Sequence, residues 1–280
     1  MSSAQSAFVA STPVAAPRRA RARLGAYALW QLRDYFMDRG APTVLVGTLF
    51  GYMVAGPMVA SVSGRLERMS PAALARLGGM EAARTAMLGE LTGTFLTVLL
   101  GNLVFLGALF AMNGIVANDR KLGYYRFLFS KPLAPAMYYG QAFLLHWVGF
   151  LAVTTLMGLL FHALVGPVLT GRLYAAVALM YLCYAGIAFA LSAAARWDWL
   201  SLVAVTVASN YLWMRYGESP GALRALLYLF PPIHRTSEVY SAVANGVALP
   251  WHLLGWYAAY GAVSFAIGLV VLRHRRLAII

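Results

Sequence analysis

The chain has 280 residues, of which 61% are hydrophobic and only 11% charged, and its mean hydropathy is +0.69. A soluble domain carries about 25% charged residues, so this composition excludes one and points to an integral membrane protein. The formal net charge of +13 would indicate nucleic acid in a soluble protein, but arginines flanking apolar spans are the mark of an inner membrane face, so a nucleic-acid partner is set aside.

Met1 to Pro17 is rich in Ser, Ala and Pro, carries no charge and reads as a disordered tail; residues 18–280 read as one transmembrane domain. The arginines follow the weakly apolar part of the tail instead of preceding it, unlike a secretory signal. Residues 18–40 read as an amphipathic interfacial helix. Leu24, Tyr27, Ala28, Leu32, Tyr35 and Phe36 fall on one side, and Arg23, Trp30, Arg33, Asp34 and Met37 on the other.

Six apolar spans are expected, each near the ~20 residues a bilayer requires: Pro42–Ser63, Leu91–Val116, Met137–Leu164, Leu173–Ala195, the short Leu200–Met214, and Trp251–Leu272. With the N-terminus in the cytoplasm, the inner segments hold 14 Arg and Lys and the outer segments 8, so both termini are expected on the cytoplasmic side of the inner membrane.

Within the first span, Gly47, Gly51 and Ala55 form a small-residue row, suited either to pairing of two copies or to packing within one. The loop 64–90 holds a helix start, with Ser70 as cap and Pro71 as first residue. Asn102 in the second span, and Ser209, Asn210 and Trp213 in the fifth, line a cavity or bond between helices, since an amide or hydroxyl in lipid needs a partner.

Residues 118–132, NDRKLGYYRFLFSKP, are a charged and aromatic island between apolar runs. Asp119, Arg120 and Lys121 together would cost roughly 8–10 kcal/mol inside lipid, so the stretch lies outside it. Tyr124, Tyr125, Phe127, Leu128 and Phe129 make it too apolar for a plain loop. Gly123 starts a segment and Pro132 ends it. The island reads as a short helix at the inner face. Further on, residues 217–250 contain an apolar run too short to cross, Ala222–Phe230, then Pro231-Pro232 and a second short piece. Two re-entrant outer half-helices or a surface loop would both account for it.

The nine acidic residues all fall in termini, loops or span ends. No carboxylate is placed to carry a proton or sodium through the membrane, which disfavours gradient-driven transport. Lys121 and Lys131 do not follow the glycine pattern of a P-loop. The histidines 146, 162, 234, 252 and 274 lack zinc-binding spacing, and no metal site or catalytic constellation is expected. His146 and His162 are read as satisfied polar groups within the bundle. Cys183, alone in an apolar run, is read as a packing residue.

The island also resembles the segment after the second span in type-2 ABC exporter permeases. Asp119-Arg120, Gly123, Leu128 and Pro132-Leu133 match that family in order and spacing, with Asp119 replacing the usual Glu and Gln141 standing where a Lys often follows Gly140. The turn Phe230-Pro231-Pro232-Ile233-His234 is similar to the family's outer re-entrant segment. The resemblance implies an all-α membrane fold and a non-enzymatic transport subunit. It implies that residues 118–132 form a coupling helix seated in a groove of a separate ATP-binding-cassette ATPase subunit, which carries ATP and Mg. Asp119, Arg120 and Arg126 would make polar contacts there, and Phe127 and Leu128 would fill the groove. A second permease copy or a paralogue would complete the complex, and the second and fifth spans would line the route between copies. The other function class is a membrane scaffold or assembly subunit with no ATPase. The cargo is not readable.

Overall fold

Helix follows helix along this chain, because an apolar run can satisfy its own backbone in lipid only by closing hydrogen bonds internally. The computed structural model describes residues 25, 26, 28–33, 37, 56, 57, 59–112, 115–121, 123, 134–194, 200–218 and 222–274, and no strand occurs among them. Residues 59–68 are helical. Ser70 then opens α1 (Pro71–Arg76) in the predicted way: its side chain accepts the Ala73 N–H, and Pro71 takes the first helical position. Gly78 closes α1 at φ 87°. The Gly79 N–H bonds the Leu74 carbonyl and the Gly78 N–H that of Ala75, a pairing that needs a left-handed residue at Gly78.

Next come α2 (Met80–Val98), a π-helical turn (Leu99–Leu103), α3 (Val104–Met112) and α4 (Ile115–Lys121). Met80–Ala117 forms one span of 38 residues, about 57 Å long and well beyond the ~30 Å of a bilayer core. The helix thus begins before the expected span start at Leu91. Residues 80–90 continue the helix because Ala83, Met87 and Leu91 make an apolar row, which the intervening Glu81, Arg84 and Glu90 obscure in the sequence. Val62 and Leu66 pack on Ala83 and Leu91 and hold the helix at 59–68 alongside.

The chain continues through α5 (Pro135–Leu164), α6 (Gly171–Ala194), α7 (Leu200–Tyr216), α8 (Ala222–Leu227), a 3-10 turn (Ile233–Arg235), α9 (Thr236–Ala244) and α10 (Trp251–His274). Among the described residues, four helices are long and apolar enough to cross a membrane: Met80–Ala117, α5, α6 and α10. The molecule is therefore a helical membrane protein. Of the six expected spans, the first lies largely outside the described residues. The fifth, α7, has 17 residues, or about 26 Å, and is shorter than these four.

The core is built around α6, which touches α3, α4, α5, α7, α9 and α10. Its small residues permit this. Gly186 lies against Gly261 of α10, where a Cβ on either would drive into the backbone of the other helix, and this pair of helices has the most extensive contact in the fold. Larger rings fill the remainder: Phe143, Phe189 and Phe265 meet between α5, α6 and α10, and Phe150 stacks on Tyr181 at 4.7 Å. Ser192 Oγ accepts the N–H groups of Val116 at 3.0 Å and Ala117 at 3.3 Å, tying the far end of α6 to α4. At the opposite end Arg172 donates to the Gly246 carbonyl, and Val165 joins the cluster around Leu91. The Asp119 end and the 217–250 end thus lie at opposite poles.

His146 Nδ1 lies 2.6 Å from the Ala142 carbonyl and is buried, as a satisfied interior histidine should be. His162 is not inside the bundle: it is exposed in the last turn of α5.

Candidate functional site

A Pro-Pro pair cannot donate backbone hydrogen bonds, and any turn it makes leaves carbonyls to be satisfied from elsewhere. Pro231, Pro232 and Ile233 are all buried, so their carbonyls have no water to fall back on. Three helices supply donors. Ser209 Oγ of α7 donates to the Pro231 carbonyl at 2.8 Å. Tyr257 OH of α10 donates to the Pro232 carbonyl at 2.9 Å. Thr236 Oγ1, which opens α9, donates to the Ile233 carbonyl at 2.6 Å. Thr236 Oγ1 and Tyr257 OH also lie 3.0 Å apart. Each hydroxyl has one proton, so these two groups cannot make all three bonds at once.

Beside this lock sits an aromatic cluster. His234 stacks on Trp213 of α7 with centroids 4.1 Å apart and planes 18° from parallel. Tyr228 meets Trp213 edge-on at 5.5 Å and stacks on Trp256 of α10 at 5.2 Å. Trp213 Nε1 and His234 Nδ1 are buried without a hydrogen-bond partner. Burial lowers the His234 pKa below its ordinary value, and the charge of Arg235 lowers it further, while Glu238 opposes. Arg235 forms a two-pronged ion pair with Glu238, at 2.6 and 2.7 Å, and this hydrogen bonding holds the Glu238 carboxyl below the usual range. Gly246 at φ 63° ends α9, with the Val247 N–H returned to the Ala242 carbonyl.

Of the residues singled out in the sequence, the structure brings Ser209 and Trp213 together at this turn. Asn210 is half-buried beside them on α7, whereas Asn102 is exposed on the π turn and takes no part in the network. Gly47, Gly51 and Ala55 lie outside the described residues, as do Arg126, Phe127, Leu128 and Pro132. Asp119 is described: its Oδ2 accepts the Tyr139 hydroxyl at 3.0 Å, which joins the end of α4 to the start of α5. Arg120 belongs to α4, and Gly123 turns at φ 71°, a conformation that favours glycine.

Sequence reading passed over Thr236, Tyr257, Tyr228 and Trp256, and named His234 only within the Pro-Pro turn and among histidines without zinc-binding spacing. The available signal was the Pro-Pro pair itself, whose stranded carbonyls demand donors. Among the described residues, no group of three or more His, Cys, Asp or Glu side chains converges on a point where a metal ion could bind. Set against protein families, curated proteins and solved structures, the chain matches none.

Proposed function

We propose that this chain is the membrane-spanning permease subunit of an ATP-driven exporter, coupled to a separate ATPase subunit through residues 118–132. The reading rests on the match of Asp119-Arg120, Gly123, Leu128 and Pro132-Leu133 to type-2 ABC permeases. The observation that carries it in the structure is the Asp119–Tyr139 hydrogen bond. It pins together the two helices from which the island leaves and to which it returns. A push delivered to the island would therefore reach both α4 and α5, and through Ser192 the central α6. Two copies, or one copy and a paralogue, would enclose the route. The arginine and lysine bias supports cytoplasmic termini, and the proposed exporter would sit in the inner membrane.

Purification from the native membrane in mild detergent tests this reading: a nucleotide-binding ATPase subunit is expected to remain bound, and its absence would favour a scaffold without a motor. Leu128→Asp places a charge where an apolar contact to the motor is proposed. Transport by the reconstituted complex should fall at least tenfold, equivalent to about 1.4 kcal/mol of lost coupling, while the amount of chain in the membrane stays the same. Undiminished transport by that variant would remove Leu128 from the coupling surface.

A further inference from the structure

The turn at 231–235 is held to α7 by two contacts of different kinds. Ser209 grips the Pro231 carbonyl, and Trp213 carries the His234 ring face to face. The second contact can change with pH. Neutral imidazole stacks on Trp213 with only one polar atom, Nδ1, left buried and unpaired. Imidazolium would carry N–H donors at both ring nitrogens, and the one at Nδ1 would be a charged donor with no acceptor in a buried position. Stacking of a cation on indole is itself favourable, but here it is opposed by burial and by the neighbouring guanidinium.

We propose that His234 is a proton-sensitive pin: neutral, it holds the Pro231–Ile233 turn against α7, and protonated, it leaves Trp213, so that the turn keeps only the Ser209 grip on that helix. The proton comes from the aqueous phase at this pole of the molecule and returns to it. The charged and titratable groups around the pin come from every neighbouring element. Arg235 is on its own turn, Glu238 is on α9, and His252 and Tyr257 are on α10. Tyr228 follows α8, whose Arg224 is exposed, and α7 contributes Arg215, exposed near the Tyr216 ring. Glu238 is engaged by Arg235, so the cation nearest in sequence is partly neutralised but not removed.

The closed stack holds the His234 pKa below its ordinary 6.5. The open state therefore binds the proton more tightly. The closed state is fully favoured above pH 6.5 and loses that advantage as pH falls from there towards the lowered value.

The test uses the full chain in lipid nanodiscs, labelled with fluorotryptophan, with the Trp213 fluorine signal identified by its loss in Trp213→Phe. Between about pH 8 and about pH 4.5, a range that brackets an unperturbed histidine, this signal should shift as a single titration with a midpoint below 6.5. The shift should vanish in His234→Gln. Arg235→Gln removes the opposing cation and frees Glu238, so it should raise the midpoint; this variant keeps His234 and decides the matter should His234→Gln fail to fold. A Trp213 signal that stays flat, a titration that survives in His234→Gln, or a midpoint lowered by Arg235→Gln would overturn the proposal. No measurement here involves transport or an ATPase, so the result stands apart from the function proposed above.

Discussion

Tyr257 shows how much one hydroxyl can carry in this protein. Its OH is the donor for the buried Pro232 carbonyl and lies within hydrogen-bond distance of Thr236. Tyr257→Phe keeps the ring and its packing but strands that carbonyl, a loss of about 1–3 kcal/mol. Thermal unfolding of the detergent-solubilised chain should register it as a lower melting temperature. Tyr211→Phe, at a residue 62% exposed, should unfold like the parent. The sequence marks Ser209 as a polar group needing a partner but does not mark Thr236 or Tyr257. Hydroxyls are common in apolar helices, where they return to their own backbone, as Thr154 does to the Phe150 carbonyl. What sets Thr236 and Tyr257 apart is a pair of prolines elsewhere in the chain, and only the fold brings them together.

Elements were more legible than residues where apolar composition alone decides them. Pro135–Leu164, Gly171–Ala194 and Trp251–His274 begin and end within two residues of the expected spans. Two other features escaped. The π turn at Leu99–Leu103 has no sequence signal, because Leu-Leu-Gly-Asn-Leu suits an α-helix equally well. The extension of α2 to Met80 was hidden because charges outside the lipid resemble a loop while a thin apolar row still binds the helix at 59–68. The contact of α6 with α10 was likewise unread, since Gly186 and Gly261 are far apart in sequence and each is ordinary in a span. Gly186→Val should separate these two helices: the added side chain meets the Gly261 backbone, and that backbone cannot yield without moving α10. The variant should lose most of its monodisperse peak on size-exclusion chromatography in detergent. Gly255→Ala, where a Cβ meets nothing within 4 Å, should elute unchanged and gain up to about 1 kcal/mol from helix propensity.

At the scale of the molecule, the poles matter most. Ser192 with Val116 and Tyr139 with Asp119 define one pole; Arg172 with Gly246 defines the other. The helix Met80–Ala117 runs between them, so if it crosses the membrane, Asp119 and the helices around α1 face opposite sides. Which side is which depends on charge. If all six expected spans cross, 14 basic residues fall on the island's side against 8 on the other, and Asp119 would then face the cytoplasm, where the proposed motor could reach it. Cys183 is fully buried, so the native chain offers a quiet background for cysteine labelling. A membrane-impermeant maleimide added to intact cells should label Thr85→Cys, at an exposed position of α2, and should leave Lys121→Cys unmodified until the membrane is opened. Labelling of both from outside would mean that Met80–Ala117 does not cross. Labelling of Lys121→Cys alone would invert the molecule, put the island out of reach of any cytoplasmic ATPase, and remove the physical basis of the exporter reading.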